Sequence, residues 1–264
     1  MVEPKYPGAV EEYVNLGRAY QREGLQEVKG ELMSCMTGYK ACYQRAYRCL
    51  GAAAAIQEDL RATLTTPALE ERLAKRAKGI LSRELKARPA LPGQVKQRFL
   101  GAVTHKGVMT LYDTALIQCP KVYELHDRCG LAHGLLTHLL SGAVAKGYDV
   151  VACPDPMAPQ RLAHLLIPQA GLAFLSVIPG QSPAEKPWRR VRIETGVGGD
   201  LMRRSRPRIR FAQKVGEALM EEAVASLAQA KAMHDDLEAI YHPYVDFSLV
   251  DRTAQELAQT ILEK

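Results

Sequence analysis

The residues best placed to do chemistry lie in one turn, His126-Asp127-Arg128-Cys129-Gly130-Leu131-Ala132-His133-Gly134, between the apolar run Lys121–Leu125 and a helical stretch. A turn from strand to helix can cradle a phosphate, because the first turn of a helix leaves its backbone N–H groups unpaired. Phosphate chemistry there asks for glycines where backbone approaches the ligand, a Lys to neutralise charge, and a hydroxyl to hold Mg²⁺, spaced G-x-x-x-x-G-K-[ST]. In that register Asp127 replaces the first Gly, Ala132 the second, His133 the Lys and Gly134 the hydroxyl residue, and only Gly130 keeps loop character. The loop Asp127, Arg128, Cys129, Gly130, Leu131, Ala132, His133, Gly134 is therefore degenerate. An unperturbed imidazole is mostly neutral at pH 7, glycine cannot ligate Mg²⁺, and Ala132 adds a Cβ where phosphate would sit. No apolar strand ending in Asp offers a second metal-holding position; Leu172–Val177 ends in Ser176 and Val177. Hydrolysis by this chain alone is not expected, no catalytic residue is assigned and no cofactor is expected. ATP with Mg²⁺ would bind weakly at most, through the helix dipole.

Other constellations carry less. His126, Cys129 and His133, with Cys153 nearby, are good Zn²⁺ ligand types, but their spacing matches no standard zinc unit and an ordinary polar loop is expected. Ser176 and Ser182 lack a G-x-S-x-G context. Cys153 falls at a strand end where α/β folds bind ligands, and a packed thiol is the expectation. The six cysteines include no C-x-x-C pair, and Cys35, Cys42 and Cys49, seven apart, should form one stripe on a helix. Free thiols, the absence of an apolar leader in Met1–Tyr20 and of any run long enough to cross a bilayer favour a reducing cytoplasm, with no membrane partner.

Charge is concentrated. The 264 residues carry 35 Lys and Arg against 29 Asp and Glu, net +6. Between Lys186 and Lys214 ten basic residues face two acids, so this window carries +8 and the remainder −2. Arg189, Arg190, Arg192, Arg203, Arg204 and Arg206 are candidate anion-binding residues. Trp188 among them could stack a base while Arg contacts phosphate. The competing expectation is a solvated connector, and without a recognisable nucleic-acid module the latter is favoured.

The elements that must position the turn read as follows. Apolar and small residues recur at helical spacing from Gln26 to Ala62, and Thr65-Thr66-Pro67 breaks that helix and starts another over Ala68–Ala87. Arg88-Pro89-Ala90-Leu91-Pro92-Gly93 is turn chemistry and a boundary. Beyond it, Phe99–Val103, Val108–Tyr112, Val122–Leu125, Val150–Cys153 and Leu172–Val177 read as strands, with a helix over Leu131–Lys146 capped at Gly147. Strand, helix, strand with short turns predicts a parallel α/β sheet. Helices over Phe211–Tyr241 and Ser248–Lys264 close the chain. The division is a helical region over 1–93 and an α/β domain over 94–264. Residues 46–61 match 223–238, with Ala46, Leu50, Ala53, Ala55, Asp59 and Leu60 recurring as Ala223, Leu227, Ala230, Ala232, Asp236 and Leu237.

Several short passages carry a family resemblance: Gly147-Tyr148-Asp149-Val150, Cys153-Pro154-Asp155-Pro156, His164-Leu165-Leu166-Ile167-Pro168-Gln169, and the lead-in Phe99-Leu100-Gly101-Ala102-Val103-Thr104 with Gly107. Further ones are His234-Asp235-Asp236-Leu237-Glu238, Val245-Asp246-Phe247, and the opening Glu3-Pro4-Lys5-Tyr6-Pro7-Gly8-Ala9-Val10 with Val14-Asn15-Leu16-Gly17. Together they resemble the second half of an uncharacterised bacterial family of tandem P-loop ATPase-like proteins. The resemblance implies a P-loop NTPase-like parallel sheet with flanking helices, an N-terminal helical pair left from a first repeat, and a first phosphate loop that is absent. It implies a catalytically degenerate protein acting as a binding or regulatory partner. The alternatives are an ATPase whose intact loop comes from a partner chain carrying the missing half, and nucleic-acid binding through residues 186–214.

Overall fold

Alternation along the run at Lys121 sets the architecture. In the computed structural model, which describes residues 6, 8–88, 91–177 and 182–263, this run is strand β4 (Lys121–His126), numbered in chain order with its neighbours. Tyr123 and Leu125 enter one core cluster and Val122 enters another, so β4 is covered on both faces, as its near-continuous apolar character requires. Parts of two expected features, Glu3-Pro4-Lys5 with Pro7 in the opening segment and Pro89-Ala90 in the turn, lie outside the described residues, as does Lys264.

The main sheet has six strands: β1 (Val95–Gln97), β4, β5 (Val150–Asp155), β6 (Ala158–Ile167), β7 (Leu172–Val177) and β8 (Arg189–Arg192), in the order β1-β5-β6-β7-β4-β8. The fold is α/β, but the sheet is mixed, which corrects the parallel expectation. β1 with β5, β7 with β4 and β4 with β8 are parallel; β5–β6 and β6–β7 are antiparallel. The reason is connection length: two residues join β5 to β6 and four join β6 to β7, too few for the crossover that parallel neighbours need. Strand β6 has no counterpart among the expected strands. Its sequence Ala158–Ile167 begins polar and turns apolar, without clean alternation.

Two further strands expected in the sheet stand apart. β2 (Gly101–Thr104) and β3 (Gly107–Thr110) form a separate antiparallel hairpin, and Tyr112 opens helix α4 (Tyr112–Gln118) instead of ending a strand.

Helices α3 (Pro67–Glu84) and α5 (Ala132–Ala145) cover one face of the sheet. Leu69, Leu73, Ala77 and Ile80 of α3 and Leu135, Leu136 and Leu139 of α5 are buried with Tyr123, Leu165 and Phe174. Thr66 caps α3 by accepting the Leu69 N–H, with Pro67 in the first turn. Gly147, at φ +82°, terminates α5 as expected. Helix α5 approaches α3 through glycines: a Cβ on Gly142 would lie 2.2 Å from Leu81 Cδ1, and one on Gly134 3.0 Å from Leu73 Cδ1. The opposite face is covered by Ala115 and Leu116 of α4 with Leu100 and Cys119.

The chain divides into two compact units, Met1–Tyr43 with Gln229–Lys264, and Gln44–Ala228. Residue 93 lies inside the second. Helix α1 (Arg22–Glu27) and helix α7 (Phe247–Leu262) belong to the first unit, while α2 (Lys29–Leu64) and α6 (Gly199–Tyr241) contribute residues to both. In the first unit α2 and α6 run antiparallel: Cys35 Sγ donates to the Met233 carbonyl at 3.0 Å and Cys42 lies 4.0 Å from Met233 Sδ. Cys42 is buried and Cys35 and Cys49 half-buried, so the expected thiol stripe is a packing stripe. Among the described residues no helix is long and apolar enough to cross a membrane.

Candidate functional site

The turn after β4 is closed by two of the chain's own carboxyl groups, those of Asp127 and Glu194. The Asp127 carboxylate accepts the N–H of Cys129 at 3.1 Å and of Ala132 at 2.6 Å, and Leu131 adds a further backbone donor. Glu194, in a short 3-10 turn after β8, accepts the N–H of Arg128. Carboxylates thus occupy the backbone donors that a phosphate would need. Burial raises the Asp127 pKa, reinforced by Glu194 and opposed by the amide donors of Leu131, Ala132 and Cys129. Gly130 takes φ +71°, the left-handed conformation that its loop character anticipated. Its carbonyl accepts from Arg161 Nη2 at 3.0 Å, and a Cβ there would meet Arg61 Nη1 at 3.1 Å.

His133 does not take the part of a lysine. Its Nδ1 accepts the Leu162 N–H of β6 at 3.0 Å, while burial, Arg161 and Arg61 lower its pKa below the usual value. The imidazole is therefore neutral at pH 7 and ties α5 to the sheet. Gly134 faces Leu73 and Glu70 of α3. A hydroxyl side chain at that position would meet α3.

The metal-ligand types in this region have separate partners. His126 Nε2 lies 3.3 Å from Glu124, His133 is bound to β6, and burial pushes the Cys129 thiol up to about 12, with Glu194 and Asp127 adding to it. Cys153, buried against the α4 face, is raised to about 11 by burial and neighbouring Cys119. Neither is a thiolate at neutral pH. Among the described residues, the group of three potential ligand atoms within 4.8 Å of one another is His234, Asp235 and Glu238, mostly exposed on α6.

Three polar clusters have little or no signature in the sequence. Glu124 is fully buried within β4 and accepts from Arg190 Nε at 3.2 Å and from the Ser182 hydroxyl. Glu84 accepts from Lys121 Nζ at 2.6 Å, from the Tyr123 hydroxyl and from Arg83. Burial would raise its pKa, but these donors outweigh it and bring the carboxyl down to about 2. His164 of β6 accepts the Ser176 N–H at 3.1 Å and stacks edge-on with Tyr112, and burial brings it down to about 4. A lone Glu inside the apolar run Lys121–His126 is the one usable signal, and it points to the first. Arg61, Arg161 and Glu84 come from distant segments and give none.

The candidate anion-binding arginines separate into two sets. Arg189, Arg190 and Arg192 lie on edge strand β8, whereas Arg203, Arg204 and Arg206 lie exposed on α6, which begins eight residues before Pro207 instead of at Phe211. The region is thus structured on both sides of the 3-10 turn, and not one connector. Two cavities open beside β8. One, about 410 Å³, is lined by His126, Arg128, Arg192, Glu194, Thr195 and Met202; the other, about 490 Å³, by Arg76, Arg83, Tyr123, Arg189, Arg190 and Arg192, among others. Arg203, Arg204 and Arg206 line neither. Trp188 is half exposed, with Lys121 Nζ 4.2 Å over its ring and its indole N–H directed to Glu84 at 3.4 Å.

No protein-family model, curated protein or solved structure matches the chain.

Proposed function

We propose that this chain is a catalytically degenerate, phosphate-loop-like protein that acts as a binding or regulatory partner and does not turn over nucleotide. The observation that carries the reading is the filling of the loop by Asp127 and Glu194, whose carboxylates take the donors of Arg128, Cys129 and Ala132. A triphosphate in the loop would have to displace two internal carboxylates without a lysine to compensate its charge. The neutral His133, bound to Leu162, supports the same reading. The resemblance to tandem P-loop ATPase-like proteins extends it to a partner chain carrying an intact loop, in a cytoplasmic setting.

The test is a steady-state ATPase assay with Mg²⁺, together with calorimetric titration of ATP–Mg²⁺. The expected result is no phosphate release above background, and none that Asp127→Ala or His133→Ala alters. Turnover lost on His133→Ala would sink the proposal.

A further inference from the structure

Strand β8 ends the sheet: it pairs with β4 on one side, and no strand of the described residues pairs with it on the other. An edge of this kind presents a row of unpaired backbone N–H and C=O groups. Its side chains alternate. Arg189 and Val191 stand beside Tyr123 and Leu125 on the α3 face, where Val191 packs against the core; Arg190 bonds Glu124 on the opposite face, and Arg192 follows it there. The 490 Å³ cavity is nevertheless touched by all four of these residues and by Arg76, Ile80 and Arg83 of α3. A space bordered by both sets of side chains runs along the backbone edge and not over one face. This cavity is therefore a groove between the free edge of β8 and α3. It closes at the end of the strand, where the Arg192 carbonyl accepts from Arg76 Nη1 at 3.0 Å and from the Thr195 hydroxyl at 2.8 Å.

We infer that this groove receives an extended segment of a partner protein, added to the sheet beside β8, with acidic residues on one face and apolar residues on the other. Main-chain hydrogen bonds hold such a strand, and its alternate side chains decide which sequence fits. The two faces of β8 set that choice. Arg190 and Arg192 are exposed on one side, and no carboxylate lies within 4.0 Å of the Arg192 guanidinium among the described residues, so acids fit opposite them. On the α3 side half-buried Val191 and Ile80 line the groove, which suits an apolar residue. A second copy of the chain does not fit. Antiparallel pairing of β8 with β8 sets Arg189 opposite Arg192, and like charges directly opposite destabilise a pair. A nucleic-acid base finds no free ring, because Lys121 Nζ lies 4.2 Å over the half-exposed Trp188. The edge is separate from the filled loop, so ATP turnover would overturn the proposed function and leave this inference standing.

Calorimetric titration of the full chain with end-blocked heptapeptides, alongside hydrogen exchange, tests it. The peptide TEVEVET should bind one to one, with an affinity that falls as salt is added, while TKVKVKT should not bind. EEETVVT, which keeps composition and charge but not alternation, should bind at least about tenfold more weakly. Bound TEVEVET should slow amide exchange over residues 189–192. Arg192→Gln should weaken it about twofold to fivefold, at an unchanged melting temperature because the side chain is exposed. Arg204→Gln with Arg206→Gln, on α6, should leave it unchanged. Equal affinity for EEETVVT would reduce the groove to a charged patch and overturn the inference. So would no binding of TEVEVET, binding without slowed exchange in β8, or binding indifferent to Arg192→Gln. A uridine hexanucleotide that binds more tightly and displaces TEVEVET would overturn it in favour of nucleic acid. A concentration-dependent dimer that protects residues 189–192 would do so in favour of a second copy.

Discussion

Asp127 stands where a phosphate loop has glycine, and its side chain does what a bound phosphate would do for the start of α5. Asp127→Ala should leave these N–H groups unpaired and cost about 2 kcal/mol, lowering the melting temperature by about 5 °C. Added sulfate should restore more stability to the variant than to the wild type. Equal shifts in the two would show that the amides do not form an anion site. His164 makes a different prediction. Its folded pKa of about 4 lies below its ordinary 6.5, so between these values the unfolded chain binds the extra proton. Stability contributed by the neutral imidazole is therefore complete above pH 6.5 and lost as pH falls towards 4, by up to about 3 kcal/mol. Denaturant titrations across this window should show a steeper fall for the wild type than for His164→Gln. Of these residues only Asp127 is legible in the sequence as part of a site. The role of its carboxylate is not, because that depends on amides up to five residues away closing around it. His164 reads as one member of an apolar segment, and only the pairing of β6 between β5 and β7 shows why it stays neutral.

Elements with strong periodicity are legible within a few residues: α2, α3, α5, α7, β4 and β7. Those that depart from expectation do so for identifiable reasons. Helix α6 starts at Gly199, well before the expected Phe211, and continues through Pro207, which removes a backbone donor and crowds the preceding turn, for 43 residues in all. The matching segments of α2 and α6 place Ala46, Ala53 and Leu60, and Ala223, Ala230 and Leu237, at buried heptad spacing. Buried alanines and leucines at heptad spacing give both helices the same apolar stripe, which by itself makes their sequences alike. Helix contact also decides the effect of glycine substitution. A methyl added to Gly79 of α3 would meet nothing within 4 Å, whereas one added to Gly142 of α5 would meet Leu81 at 2.2 Å. Gly79→Ala should raise stability by up to about 1 kcal/mol through helix propensity. Gly142→Ala should lower it by about 1–3 kcal/mol through overpacking. Equilibrium unfolding of the two variants checks both signs.

At the scale of the molecule, all six cysteines are free thiols, and burial brings Cys119 and Cys153 to about 11 and Cys129 to about 12. These three should resist alkylation at neutral pH until the fold opens, while half-buried Cys35 and Cys49 react first. Mass spectrometry of a time course with iodoacetamide distinguishes the two groups, and early labelling of Cys129 would contradict the closed loop. The charge distribution also changes meaning with the fold. Composition and order alone determined that the basic excess sits in one window, that the turn after Lys121–Leu125 lacks the glycines, lysine and hydroxyl a phosphate loop needs, and that an α/β domain surrounds it. These follow from residue identity and local periodicity, which need no partner. Tertiary structure alone decided that β7 and β8 flank β4, that Glu194 closes on the Arg128 N–H beside Asp127, and that Arg76 of α3 reaches the Arg192 carbonyl of β8. Glu194 and Arg128 are 66 positions apart and Arg76 and Arg192 116, and such proximity is set by the path of the whole chain.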